Sequence, residues 1–186
     1  MKSPWVPIFY HKEEGKNYFY NLNEKRVVEG NYSTQGTFLT LLSGMVGVIL
    51  YALFGSVIIK MSINHLVFLS IILGIAISIF LVIIIDYFSK KSVFGEGAPV
   101  EKISLYFAEG EKQFKKNMRL SFYTLLLAIG STLVLYISDG EAILFFATAL
   151  FWMLPIPLFV LQRPFKRKKM YALYKKNQLP IENGEL

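Results

Sequence analysis

Apolar residues gather in four long blocks, at roughly 37–59, 66–85, 120–138 and 142–162, and the polar and charged residues fill the segments between them. Each block comes close to or exceeds the ~18 apolar residues that mark a membrane span. The pattern predicts four transmembrane helices. Ahead of the first block the period changes. Val6 to Tyr10 and Tyr18 to Leu22 are aromatic and β-branched, with Glu13-Glu14-Gly15-Lys16 as the turn between them. A second turn over Asn21 to Lys25 leads to Arg26-Val27-Val28. The fold class that follows is an all-α membrane protein, a four-transmembrane-helix bundle with a small N-terminal cytoplasmic β-meander. Its segments are the meander (1–36), helices one and two (37–88), a cytoplasmic linker (89–119), helices three and four (120–162) and a basic tail (163–186).

The linker opens on a flexible stretch, Ser92 to Pro99, whose two glycines lack the Gly-Lys-Ser/Thr ending of a phosphate loop. From Val100 the period turns helical. Val100, Ile103, Phe107, Phe114 and Met118 fall opposite Glu101, Lys102, Glu109, Lys112 and Lys116, which predicts an interfacial amphipathic helix feeding the third span. Two or three short strands are marginal alone, so residues 1–30 are expected to dock against this helix, with Trp5, Phe9, Tyr18 and Tyr20 as packing residues. In the tail, Pro164 breaks the fourth span.

Charge fixes the expected orientation. Of the 20 Lys and Arg, 19 lie before the first block, between the second and third, or after the fourth; only Lys60 lies in the first-to-second connection. Ser138-Asp139-Gly140-Glu141 carries none. Cytoplasmic loops retain positive charge, so both termini are expected inside a bacterial cytoplasmic membrane, with two short loops outside. The N-terminus, polar and broken by Pro4, Pro7 and Gly15, is not read as a signal peptide. The net charge of +7 sits at membrane exits rather than beside a nucleic-acid motif, so the cations at Arg163, Lys166, Arg167, Lys168 and Lys169 are expected to contact lipid headgroups.

Composition narrows the chemistry. The chain is 54% hydrophobic with 18% charged residues, and four spans leave no room for a large catalytic domain. It has no cysteine, which removes disulfides and thiolate chemistry. The intramembrane ionisable candidate is Asp86, at the end of the second block and i,i+4 from Lys90, which reads as a helix-end anchor. His11 and His65 fall on opposite sides, and no metal or other cofactor is expected. Small residues do recur at packing intervals: Ser70, Gly74 and Ser78 in the second block, and Thr124, Ala128 and Thr132 in the third. Such stripes let helices approach closely and serve either internal packing or the docking of a foreign helix. Pro155 and Pro157 should kink or unwind the fourth helix, splaying it and exposing that stripe. Trp152 lies too deep for an interfacial belt and is expected to pack against a neighbour.

The layout resembles a family. An aromatic hairpin (Pro7-Ile8-Phe9-Tyr10, then Asn17-Tyr18-Phe19-Tyr20-Asn21-Leu22) precedes paired spans ending in Asp86-Tyr87-Phe88-Ser89-Lys90-Lys91, and a basic stretch leads to a second pair joined by a tiny acidic loop. This is similar to the tandem five-transmembrane proteins of low-GC Gram-positive bacteria, among which are immunity proteins against membrane-depolarising toxins of the type VII secretion pathway. The usage of 16 Lys against 4 Arg fits an AT-rich genome. The chain departs from the pattern in showing four spans, and in having residues 29–36 where an aromatic run is expected. The resemblance implies no catalytic residues. It implies an immunity factor; because the two outer loops give a toxin little to grip, the small-residue stripe at Ser70, Gly74 and Ser78, with the kink at Pro155 and Pro157, is the face expected to sequester a toxin's transmembrane helix. A small transporter or membrane subunit of an export complex is the alternative. The partners implied are the lipid bilayer and a membrane-inserted protein toxin, not nucleic acid, with a homo-oligomer left open.

Overall fold

A computed structural model describes residues 4–31, 53–54, 56–91 and 97–181, with the side chains of 31, 86–91 and 100 not among what is described. The first apolar block lies outside the described residues up to residue 52, as do the stretch 92–96 and the Asp86 side chain. Among the described residues, three helical stretches are long and apolar enough to cross a membrane, Ile63–Ile85, Ile103–Ile137 and Ala142–Lys175.

The N-terminal strands form where the period-two pattern places them: β1 (Trp5–His11), β2 (Lys16–Asn21) and β3 (Val27–Asn31), antiparallel in the order β1-β2-β3. Val6, Ile8, Tyr18, Tyr20 and Val27 all point into one buried cluster. The register shifts between Pro7 and Phe9, so Ile8 is the extra residue that lets Phe9 face Tyr18. Asn21 makes the second turn, its side-chain oxygen accepting the backbone N–H groups of Asn23 (2.9 Å) and Glu24 (3.2 Å).

The helices are α1 (Ile63–Lys91), α2 (Ile103–Ile137, entered by a 3₁₀ turn at Val100–Lys102), α3 (Ala142–Met153), α4 (Pro155–Leu161) and α5 (Pro164–Lys175). Three boundaries differ from the sequence pattern. The 103–118 helix and the third apolar block are one helix, because nothing between Met118 and Leu120 breaks the backbone ladder. The fourth block is two helices, interrupted at Leu154 because Pro155 has no N–H to donate. The last residues of the first block are not helical: Val57 closes a turn onto Phe54 and Ile58 is extended.

The chain divides into two compact units. One comprises the sheet (1–32), residues 86–118 and residues 159–186; its core joins the sheet to Ala98, Ile103, Tyr106, Phe107, Met170 and Tyr171. The expected docking of the hairpin on the 100–118 helix is therefore present, with α5 as a further wall. The apolar face of that helix is occupied by protein: Ile103 and Phe107 lie against the sheet, not in a lipid interface. The other unit comprises 33–85 and 119–158, with Leu66, Leu135 and Phe145 at its centre.

Candidate functional site

In the first unit the sheet is held by its edge. A free edge strand exposes a row of unpaired backbone groups, and β1 gives several of its own to helix side chains. Arg163 donates to the Trp5 carbonyl, Arg167 (2.7 Å) and Tyr171 (2.9 Å) donate to that of Ile8, and Gln113 both accepts from Tyr10 N–H (3.0 Å) and donates to its carbonyl (3.3 Å). Arg167 also donates to Gln162 and to Tyr171 Oη (3.2 Å), and its guanidinium lies 4.9 Å from the centre of the Phe114 ring.

This corrects the headgroup assignment. Arg167 is only 3% exposed and Arg163 is half-buried, both turned toward β1. Lys166, Lys168 and Lys169 are exposed. The helical wheel carries the reason: residues 163, 167, 170, 171 and 174 share one face of α5, the face that Met170 and Tyr171 bury. Of the residues expected to pack the sheet, Tyr18 and Tyr20 are buried, Trp5 and Phe9 half-buried; Val6 and Ile8, which the aromatic pattern did not single out, are completely buried beside them. Tyr18 stacks on Tyr106 at 3.9 Å between ring centres and accepts its hydroxyl hydrogen bond (3.1 Å). Burial holds the Tyr18 phenol well above the ordinary tyrosine range, with the Tyr106 hydrogen bond adding to the shift. A hydrogen bond from Lys16 to Glu29 raises the Lys16 ammonium.

In the second unit the Ser70–Gly74–Ser78 stripe is wholly buried, and it is filled. A Cβ on Gly74 would stand 2.4 Å from the Ala149 carbonyl oxygen and 2.6 Å from Trp152 Cβ, so the α3 backbone already occupies the groove. The stripe is internal packing and not a free docking face, which corrects the binding site expected from sequence. The proline break does not open it either. It lies C-terminal to α3, and α3 is tied to α2 by Thr148 Oγ1 donating to the Ser131 carbonyl (3.1 Å) and Trp152 Nε1 to Thr132 Oγ1 (2.8 Å). Pro155 is buried and its carbonyl accepts from Ser121 Oγ (3.3 Å); Pro157 is half-buried.

The same unit carries a feature that hydropathy did not indicate. The two short connections join each other: Ile58 bridges Glu141, Ile59 N–H donates to Gly140 O (2.9 Å), and Ala142 N–H donates to Val57 O (2.9 Å). Ile59 and Ile63 then pack on the Leu66–Leu135–Phe145 core. The resulting cap presents Val57, Ile58, Met61 and Ile137 to the exterior, interspersed with exposed Lys60, Asp139 and Glu141. Ser62 Oγ is hydrogen-bonded to His65 Nδ1. The run Val57-Ile58-Ile59, three β-branched residues at the end of the first apolar block, is the sequence signal that points to it.

Among the described residues no three His, Asp or Glu side chains gather closely enough to hold a metal ion. One unit thus carries an apolar cap pinned by backbone pairing, and the other a sheet clamped by helices. Compared with protein-family models, with curated proteins and with solved structures, the chain matches none. What its elements define is a class, a mostly helical chain with three membrane-length apolar helical stretches among the described residues and a small antiparallel sheet near its N-terminus.

Proposed function

We propose that the chain is a non-catalytic multi-pass membrane protein that recognises another membrane-inserted protein, and that its working face is the bridged cap at 57–62 and 138–142. The concrete form of this reading, which the layout of the chain suggests, is an immunity factor that neutralises a membrane-active secreted toxin. One observation carries it: backbone pairing between Ile58 and Glu141 fixes two otherwise independent connections into a single preformed surface. A surface pinned before binding loses less conformational freedom on binding. The 19-of-20 cation asymmetry supports a cap on the outer side of the membrane, where an arriving toxin would meet it. Apolar Ile58 and Ile137 beside Lys60, Asp139 and Glu141 offer both contact area and orientation.

The test uses cells that carry the chain together with a glycine-rich, membrane-active protein encoded by an adjacent reading frame, with membrane potential followed by a carbocyanine dye. The chain should preserve the potential in proportion to its level. Ile58→Glu should lose protection at equal membrane level, and Asp86→Asn should keep it. Depolarisation at every expression level overturns the reading; loss through Asp86→Asn alone transfers it to transport.

A further inference from the structure

We infer that the outward stripe of α5, formed by Phe165, Lys169, Ala172 and Lys176 with Lys168 beside it, rests on the anionic headgroups of the leaflet where the last apolar run ends. The stripe is set by helix geometry. Arg167, Met170, Tyr171 and Tyr174 turn one face of α5 into the core of the sheet-bearing unit, and positions 165, 169, 172 and 176 recur at steps of four, three and four on the opposite face. All four are exposed. Phe165 is the informative one, because it is 81% exposed while its ring meets Phe159 edge-on at 6.4 Å.

An exposed aromatic among lysines is expensive in water and at home at a headgroup boundary, where ring and ammonium reach different depths. The chain puts it at such a boundary. Phe165 follows the final apolar position, Leu161, by four residues, within the helical stretch that is long and apolar enough to cross a membrane. Lys175, on the edge of this face, is paired with Glu111 (2.8 Å), whereas Lys168, Lys169 and Lys176 are exposed and complementary to an anionic surface. The inward turn of Arg163 and Arg167 sharpens the assignment: the headgroup contact falls to the lysines and the phenylalanine, not to the arginines. This surface is independent of the cap and of the partner proposed for it.

The experiment uses the full-length chain, whose lack of cysteine makes single nitroxide labels unambiguous. Labels enter through Phe165→Cys, Ala172→Cys and, as a water-exposed reference on the sheet turn, Glu13→Cys. Each variant is reconstituted into phosphatidylglycerol or phosphatidylcholine vesicles, and collision rates with oxygen and with a water-soluble nickel chelate are compared. In phosphatidylglycerol the labels at 165 and 172 should favour oxygen several-fold over the reference, and in phosphatidylcholine position 172 should return to the reference value. Replacing Lys168, Lys169 and Lys176 together by Gln should remove at least half of the difference between the two lipids. The assignment is overturned if positions 165 and 172 match position 13 in phosphatidylglycerol, or if the triple replacement leaves the lipid dependence intact. Shielding that appears only when RNA is added also overturns it, since the stripe would then serve a nucleic acid.

Discussion

Arg167 is a cation among neutral acceptors, and its position is explained by what it replaces. The Ile8 carbonyl would otherwise be left with the Tyr171 hydroxyl alone, and the Arg167 guanidinium supplies a second donor while lying over the Phe114 ring. Hydrogen bonds from charged donors contribute more than neutral ones, so Arg167→Ala should destabilise the sheet-bearing unit by roughly 2–4 kcal/mol. Arg167→Lys should recover little, because an ammonium lacks the planar fork. Denaturant unfolding, or the rate of cleavage at the Glu13–Gly15 turn, measures both. Tyr18 gives a pH prediction. Its phenol is held above the ordinary value of about 10 by burial first. Above that value the unfolded chain releases a proton that the folded chain retains, so the stability of the unit should be intact at neutral pH and fall as pH rises into the tyrosine range. Absorbance titration should find Tyr18, and with it the buried Tyr171, ionising later than the exposed tyrosines, together with loss of structure. At this scale the sequence was readable in kind but not in direction. The alternation of Phe165, Met170, Tyr171, Leu173 and Tyr174 with cations was plain in the tail, yet which cations turn inward depends on sharing a face with Met170 and Tyr171, and the alternation does not say which face is buried.

At the scale of elements, strands were the most legible, because β-branched and aromatic runs separated by Glu-Glu-Gly-Lys and Asn-Leu-Asn-Glu-Lys turns admit few other conformations. Helix ends were less so. Hydropathy marks where lipid-like composition stops, not where the backbone ladder stops, so the 103–118 amphipathic segment and the third block looked like two elements and are one. Packing glycines were the least legible, since a small residue says that something approaches without saying what. Three glycines now separate the cases. On propensity alone, Gly110→Ala should stabilise α2 by about 1 kcal/mol. A Cβ there would meet the Ile8 carbonyl oxygen at 2.5 Å and its carbon at 3.0 Å, both backbone atoms that cannot give way easily. The expected net effect is a loss of roughly 1–2 kcal/mol. Gly130→Ala on the same helix meets nothing within 4 Å and should gain roughly 0.5–1 kcal/mol. Gly74→Leu, driven into the Ala149 backbone, should prevent accumulation of folded protein in the membrane rather than remove a binding function selectively. Thermal unfolding of the purified chain and its membrane level by immunoblot distinguish the three outcomes.

At the scale of the molecule, the placement of charge constrains the chain most widely. Translocating Lys and Arg past a membrane is disfavoured near the ends of spans, and 19 of 20 cations avoid the two connections at 57–62 and 138–141. Pairing of Ile58 with Glu141 adds a constraint that charge does not supply, because it requires both connections to lie on one side together. Lys60 and Asp139, exposed on the two halves of that cap, must therefore behave alike in any labelling experiment. Lys60 is the lone cation of the outer set, and a charge count by itself would leave its side less certain than that of Asp139; the bridge removes the difference. In the cysteine-free chain, Lys60→Cys and Asp139→Cys should each react with an impermeant maleimide in intact cells. Lys12→Cys on the sheet and Lys176→Cys after α5 should react only once the cells are lysed. If residues 60 and 139 label from opposite sides, the bridge does not exist in the membrane and the cap loses its basis as a recognition surface. If both label only after lysis while residues 12 and 176 label in intact cells, the pairing stands and the chain is inverted, which would turn the cap toward the cytoplasm and exclude a toxin arriving from outside as its first partner.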